Sequence, residues 1–259
     1  MAELSSMIWI ETHKALRSRM PLFTGAGSLI IPLGIAFLIL LATNPEISRQ
    51  LGLVGAKANL VAYASTSWPT YFELLAQTVA AGVFLISCLV VSWVFGREFV
   101  DHTLKDMLAV PVQRSSILLA KFIVTAAWSA VLATLTLITG LVAGALLGLP
   151  EGSPAVLLHG GILMAITSCL VIVVILPFGF FASVGRGYLL PIGVAILTLI
   201  LANLAAVIGL GPYFPYAIPG LYAQGQGTLV PISYPIVILT GVAGMTGTYL
   251  WWKVADQSR

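Results

Sequence analysis

Six stretches of this chain, near residues 22–43, 74–95, 116–148, 155–181, 188–208 and 232–252, are apolar enough and long enough to cross a bilayer. Crossing about 30 Å of hydrocarbon takes about 20 helical residues at about 1.5 Å each. In lipid every backbone N–H and C=O must be paired within the protein, so only helices and closed barrels span. Uninterrupted apolar runs of this length fit the helix. The expectation is an all-α integral membrane protein, with residues 1–259 as a single domain of six transmembrane helices. Composition closes the soluble alternative: 59% hydrophobic and 8% charged residues cannot cover a globule, whose charged share is about 25%. The third and fourth stretches exceed the bilayer thickness, so they tilt or extend beyond it.

Charge is concentrated in one place. Residues 96–122, GREFVDHTLKDMLAVPVQRSSILLAKF, hold seven charged side chains and His102 between spans two and three. A charge at mid-bilayer costs about 2.5–3.5 kcal/mol on insertion scales, so this segment lies in water or among headgroups. Phe99, Leu104, Met107, Leu108 and Val112 sit among the charges and make it amphipathic, as a surface that meets a soluble partner would be.

The basic residues orient the spans. With the N terminus in the cytoplasm, Lys14, Arg17, Arg19, Arg97, Lys105, Arg114, Lys121, Arg186, Lys253 and Arg259 fall inside, and Arg49 and Lys57 outside. The positive-inside rule therefore puts both termini and 97–114 in the cytoplasm of a cell-membrane protein, with 44–72 and 209–231 outside. The net charge of +3 reports topology and attraction to anionic lipid rather than nucleic-acid binding. The basic N-terminal segment runs into a full-length span, which is not the pattern of a cleavable signal.

Residues 1–20 read as an interfacial segment. Its helix, 3–20, carries Leu4, Met7, Ile8, Ala15 and Leu16 on one side, with Thr12, His13, Lys14, Arg17 and Arg19 mostly on another. A disordered basic leader is the alternative. Residues 44–72 form the longest external connection, with turn signals at Asn44-Pro45, Gly52, Gly55 and Trp68-Pro69. The uncharged stretch 209–231, with Pro212, Pro215, Pro219, Tyr213, Phe214, Tyr216 and Tyr222, fits either a broken re-entrant helix or an interfacial loop.

Gly140, Gly144 and Gly148 give span three two overlapping GxxxG steps, and Gly241, Gly244 and Gly247 give span six a glycine face. Such faces pack helices within a subunit or between subunits. Pro177 and Gly179 predict a kink near the end of span four. Cys88 and Cys169 fall inside spans, as small core residues rather than a disulfide or metal pair.

No charged residue lies in the middle of a predicted span, which argues against the proton-relay carboxylate of an ion-coupled carrier. His13, His102 and His159 are far apart and join no Cys cluster or HExxH, so no metal ligand set is legible. There is no GxSxG serine elbow. There is also no GxxxxGK[ST] phosphate loop. An uphill mover of this kind is no enzyme itself and takes its energy from a separate ATPase docked on the charged segment.

The segment Gly96-Arg97-Glu98-Phe99, then Thr103-Leu104-Lys105, Pro111, Arg114 and Lys121, resembles the signature region of type-2 ABC export permeases. Glu11, Lys14 and Arg17-Ser18-Arg19 before span one, and the Pro/aromatic stretch before span six, resemble the same family, and the length and span count extend the likeness over the whole chain. His102 stands where a glycine is frequent in that family.

The resemblance implies a half-transporter. Two six-span subunits, identical or related, pair in the bilayer, and each seats a cytoplasmic ABC ATP-binding subunit. That partner supplies ATP and Mg²⁺ chemistry, while no cofactor binds this chain. A coupling helix over about 99–109, within segment 96–115, is expected to lodge in the ATPase with Glu98 at its entry. Glu98, Phe99, Asp101, Thr103, Leu104, Lys105, Asp106, Leu108 and Arg114 are its expected contacts. Pro111 would stop that helix, and Ser115 or Ser116 would cap span three.

Spans two and five are implied as the walls of the translocation path. They contribute Gln77, Thr78, Ser87, Ser92, Thr198 and Asn203 among apolar neighbours, which suits an amphipathic or lipid-like cargo such as an antibiotic or antimicrobial peptide. The rival readings are an ion-coupled carrier or channel, and a membrane anchor that recruits a soluble partner without transport.

Overall fold

The computed structural model describes residues 2–44, 66–103, 107, 112–225 and 229–254, and every described regular element is helical. The chain opens with α1 (Ala2–Arg17), whose acidic Glu3 in the first turn and basic Lys14 and Arg17 in the last complement the helix dipole. Ser18 turns the chain by donating to the Ala15 carbonyl at 2.7 Å and accepting from the Met20 amide at 3.2 Å. Pro21 then stands in the first turn of α2 (Met20–Thr43), where its missing N–H costs nothing.

The second span is one helical run from Trp68 to Val100 with an interruption. It comprises α3 (Trp68–Thr78), a π-helical turn at Val79–Val83, and α4 (Phe84–Val100). Next come α5 (Arg114–Leu146), α6 (Pro154–Val174), α7 (Phe178–Val184), α8 (Leu189–Val207), a 3-10 turn at Gly211–Tyr213, α9 (Ile218–Ala223) and α10 (Ser233–Val254). Ser153 caps α6 by accepting from the Val156 amide at 3.3 Å, with Pro154 behind it. The predicted kink lies between α6 and α7, at the proline that has no amide to offer the preceding turn.

Among the described residues, five helical runs are long and apolar enough to cross a membrane: Met20–Thr43, Trp68–Val100, Arg114–Leu146, Pro154–Val184 and Leu189–Val207. The sixth expected span is helical over Ser233–Val254, but its three glycines, three threonines and four Tyr/Trp residues lower its hydropathy, and it is not among those five. Apolar side chains such as Leu146, Leu189 and Val207 are more than four-fifths exposed. A chain without lipid around it could not tolerate that face in water.

The core gathers around the second span. Tyr71, Phe72, Leu75, Phe84 and Phe95 are buried there with Phe178 and Trp252. The glycine faces pack within the chain. A Cβ on Gly144 would stand 2.7 Å from the Trp68 ring, and one on Gly244 would stand 2.5 Å from the Pro177 Cα. Gly148 instead ends its helix at φ 63°, and Gly247 makes only ordinary contact with Phe180.

Three local expectations need correction. Trp68-Pro69 is the start of a helix rather than a turn, because Pro69 occupies the first turn where no donor is required. A separate coupling helix does not begin at residue 99, since Phe99 and Val100 belong to α4, which ends there, and Met107 beyond the break is helical. The Asp101 amide donates to the Arg97 carbonyl at 2.7 Å, and the Thr103 amide reaches back to the Glu98 carbonyl at 3.1 Å. His102 between them adopts φ 56°, the left-handed conformation that glycine takes at helix ends. Finally, α5 starts at Arg114, ahead of Ser115 and Ser116, and its cap residue is Gln113, whose carbonyl accepts from the Ser116 amide at 2.9 Å. Residues 45–65, most of the connection expected to be external, and residues 104–106 and 108–111, with Pro111, lie outside the described residues.

Candidate functional site

Four charged side chains meet where α1, α4 and α5 converge. Lys121, about two turns into α5, is fully buried. Its ammonium donates to Glu98 Oε1 at 2.7 Å, to the Val94 carbonyl at 2.7 Å and to Glu11 Oε2 at 3.3 Å. Those three acceptors use all three of its protons. Lys14 Nζ joins from the surface, 2.9 Å from Glu11 Oε1 and 3.5 Å from Glu98 Oε1.

Two acids and two bases cancel. That balance makes burial tolerable, since an unpaired buried charge costs several kcal/mol. Burial by itself would raise the Glu11 carboxyl, but Lys121 and Lys14 outweigh it and hold Glu11 below its ordinary value. Glu98 Oε2 has no hydrogen-bond partner among the described residues. It belongs to a side chain lining a cavity of about 370 Å³ together with Met7, Lys14, Arg97, Asp101 and Thr103.

The expected coupling residues therefore part company. Glu98 is 2% exposed and held inside by Lys121. Phe99 packs edge-on against Trp252, with ring centroids 6.2 Å apart. Arg114 donates to the Trp252 carbonyl at 2.7 Å and so caps the last turn of α10. Asp101 is exposed and lies 3.7 Å from the Arg97 guanidinium, which also covers the Trp93 ring. Thr103 is exposed, and its carbonyl accepts from the Met107 amide at 3.1 Å. Met107 packs onto the cluster of Met7, Ile117 and Ala120, which fastens the segment to α1 and α5. Leu104, Lys105, Asp106 and Leu108 lie outside the described residues.

At the opposite half of the bundle, α3, α8 and α9 enclose a cavity of about 160 Å³. Gln77 and Asn203 both line it, with Tyr216 and Gln224 from the stretch between α8 and α10. Asn203 Nδ2 donates to the Leu199 carbonyl at 2.8 Å. Thr78 and Thr198 do not line this cavity. Each hydroxyl bonds back to its own helix, to Leu75 at 2.6 Å and to Val194 at 2.6 Å. Ser87 and Ser92 are buried inside the bundle, away from that wall. The π-helical turn at Val79–Val83 includes Ala80 and Ala81 of the same wall, and such turns are frequent at functional sites.

Sequence reasoning missed the pairing of Lys121 with Glu11 and Glu98, and the part played by Tyr216 and Gln224. Lys121 did carry a signal, because a lysine inside a predicted span demands a counter-charge. The partner's position 110 residues earlier was not legible.

Residues 7–202 match the family described as ABC-2 family transporter protein. The chain is also 28% identical over 177 residues to the bacitracin transport permease protein BCRB of Bacillus licheniformis, a match covering 65% of this chain and 82% of that relative.

Proposed function

This chain belongs to the ABC-2 transporter family as a type-2 permease, and we propose that it is the membrane subunit of an ATP-driven exporter. In this reading α2, α3–α4, α5, α6–α7, α8 and α10 are six spans of one domain, and α1 lies in the cytoplasmic interface. Both termini face the cytoplasm, and the stretch 209–231 re-enters from outside. Two copies, or this chain and a related permease, pair around the path. Each seats a cytoplasmic ABC subunit that binds ATP and Mg²⁺.

The observation that carries the reading is the buried tie of Glu11, Glu98 and Lys121. It joins the interfacial helix, the end of span two and the start of span three at the root of segment 101–112. A push on that segment from a partner would be delivered to three helices together. Asp101, His102 and Thr103 are its exposed described residues, with Leu104, Lys105, Asp106 and Leu108 as further contacts. Glu98, Phe99 and Arg114 act by bracing them.

The cargo is an amphipathic or lipid-like molecule of the antibiotic-peptide class. The relative's printed role in bacitracin transport and the mixed wall of Gln77, Asn203 and alanines support that choice. Detergent-extracted protein should co-purify with an ATP-binding subunit in stoichiometric amount. Recovery of a soluble partner that binds no nucleotide would favour the anchor reading instead.

A further inference from the structure

A second cavity, of about 470 Å³, opens between α3, α6 and the turn after α9. It shares no lining residue with the Gln77/Asn203 cavity. Its walls are apolar, from Pro69, Phe72, Val156 and Leu163, and it holds two chemistry-bearing side chains, Glu73 and His159. Each lies five residues into its helix, about 7.5 Å along the axis at about 1.5 Å per residue. In the proposed orientation that is the boundary between outer headgroups and hydrocarbon, with Trp68 at the helix start in the layer that suits an indole.

A carboxylate at that depth demands a partner or a polar cavity. No described residue makes a hydrogen bond or ion pair with Glu73, and the described charged side chains at this end of the bundle, Glu73 and Glu151, are both acids. The backbone leaves the carboxylate open to its cavity at Gly225, whose φ is +66° and where an added Cβ would stand 3.2 Å from Glu73 Oε1. Beside His159, Leu158 and Ile162 are exposed on the lipid face of α6.

We infer that this cavity binds the ammonium group of an amphipathic amine from the outer leaflet. Glu73 takes the charge, His159 accepts one N–H, and the apolar tail lies along Leu158 and Ile162. An anion is repelled by Glu73. The cavity volume is within the about 300–1,000 Å³ of small-molecule sites. This inference goes beyond the exporter reading and uses no ATPase.

The test uses the purified full chain in phosphatidylcholine nanodiscs, with a photoactivatable dodecylamine and the matched dodecanol as probes. The amine should label residues 66–76 and 154–164 saturably and the alcohol should not. Glu73→Gln should lower that saturable labelling by about tenfold, as loss of a charge-assisted contact does. If Glu73→Gln disturbs folding, Gly225→Ala, which presses a methyl against the retained carboxylate, should lower it in the same way. Equal labelling by amine and alcohol, or full amine labelling in a folded variant, overturns the site. Either result leaves the exporter reading standing, just as failure to recover an ATPase leaves this site standing.

Discussion

Lys121 Nζ lies 2.7 Å from Glu98 Oε1, with both side chains removed from solvent. The pair joins the last turns of α4 to the second turn of α5, and Glu11 adds α1 to the same ammonium at 3.3 Å. This contact ties three helices together at the root of the charged segment.

Lys121→Met should destabilise the protein by about 3–5 kcal/mol, because Glu98 and much of Glu11 are left buried without their cation. The pair Glu98→Gln and Lys121→Met should cost less than the sum of the single changes, with a coupling of about 1–3 kcal/mol. Thermal unfolding in detergent, followed for the two single variants and the double, measures both.

The depressed Glu11 carboxyl gives a pH dependence of definite sign. Its folded value lies below the ordinary 4.5, so its contribution is fully present above that value. It is lost as pH falls below 4.5 through the folded value, when the carboxylate must be protonated. The midpoint of thermal unfolding should therefore fall as pH drops below 4.5 in the native chain. Glu11→Gln should be less stable at pH 7 and show a shallower fall over the same window.

Asn203, Gln77 and Gln224 line one cavity, so Asn203→Leu removes one of that wall's three amides. It should change the relative rates at which amphipathic cargoes are moved while ATP hydrolysis by the complex continues. Its Nδ2 bond returns to its own helix at Leu199, so the leucine variant should insert and assemble. Failure to assemble would make Asn203 a packing residue.

The spans were legible because apolar length is a strong one-dimensional signal: Met20–Thr43 against 22–43 and Leu189–Val207 against 188–208 differ by a residue or two. The kink at Pro177 was legible for the same local reason. What was not legible was which side chains meet at a junction. Glu98 stands in a run that looks amphipathic, yet its environment is set by Lys121, 23 residues on, and by Glu11 from another helix. Arg114, exposed as expected, also caps α10, 138 residues away, a bond that no local pattern announces. Glu73 escaped notice because the second span begins six residues earlier than the hydropathy suggested, which draws that carboxylate into the helix.

The central claim is that this chain moves its cargo only with ATP hydrolysed by a bound partner. Proteoliposomes holding the co-purified complex, with a fluorescent amphipathic peptide antibiotic as cargo, test it most directly. Cargo movement should require both ATP hydrolysis and the ATP-binding subunit, and should fall when Asp101 and Thr103 on the exposed segment are both replaced by alanine. Movement of the same cargo by this chain alone, at the same rate without nucleotide, would contradict the account.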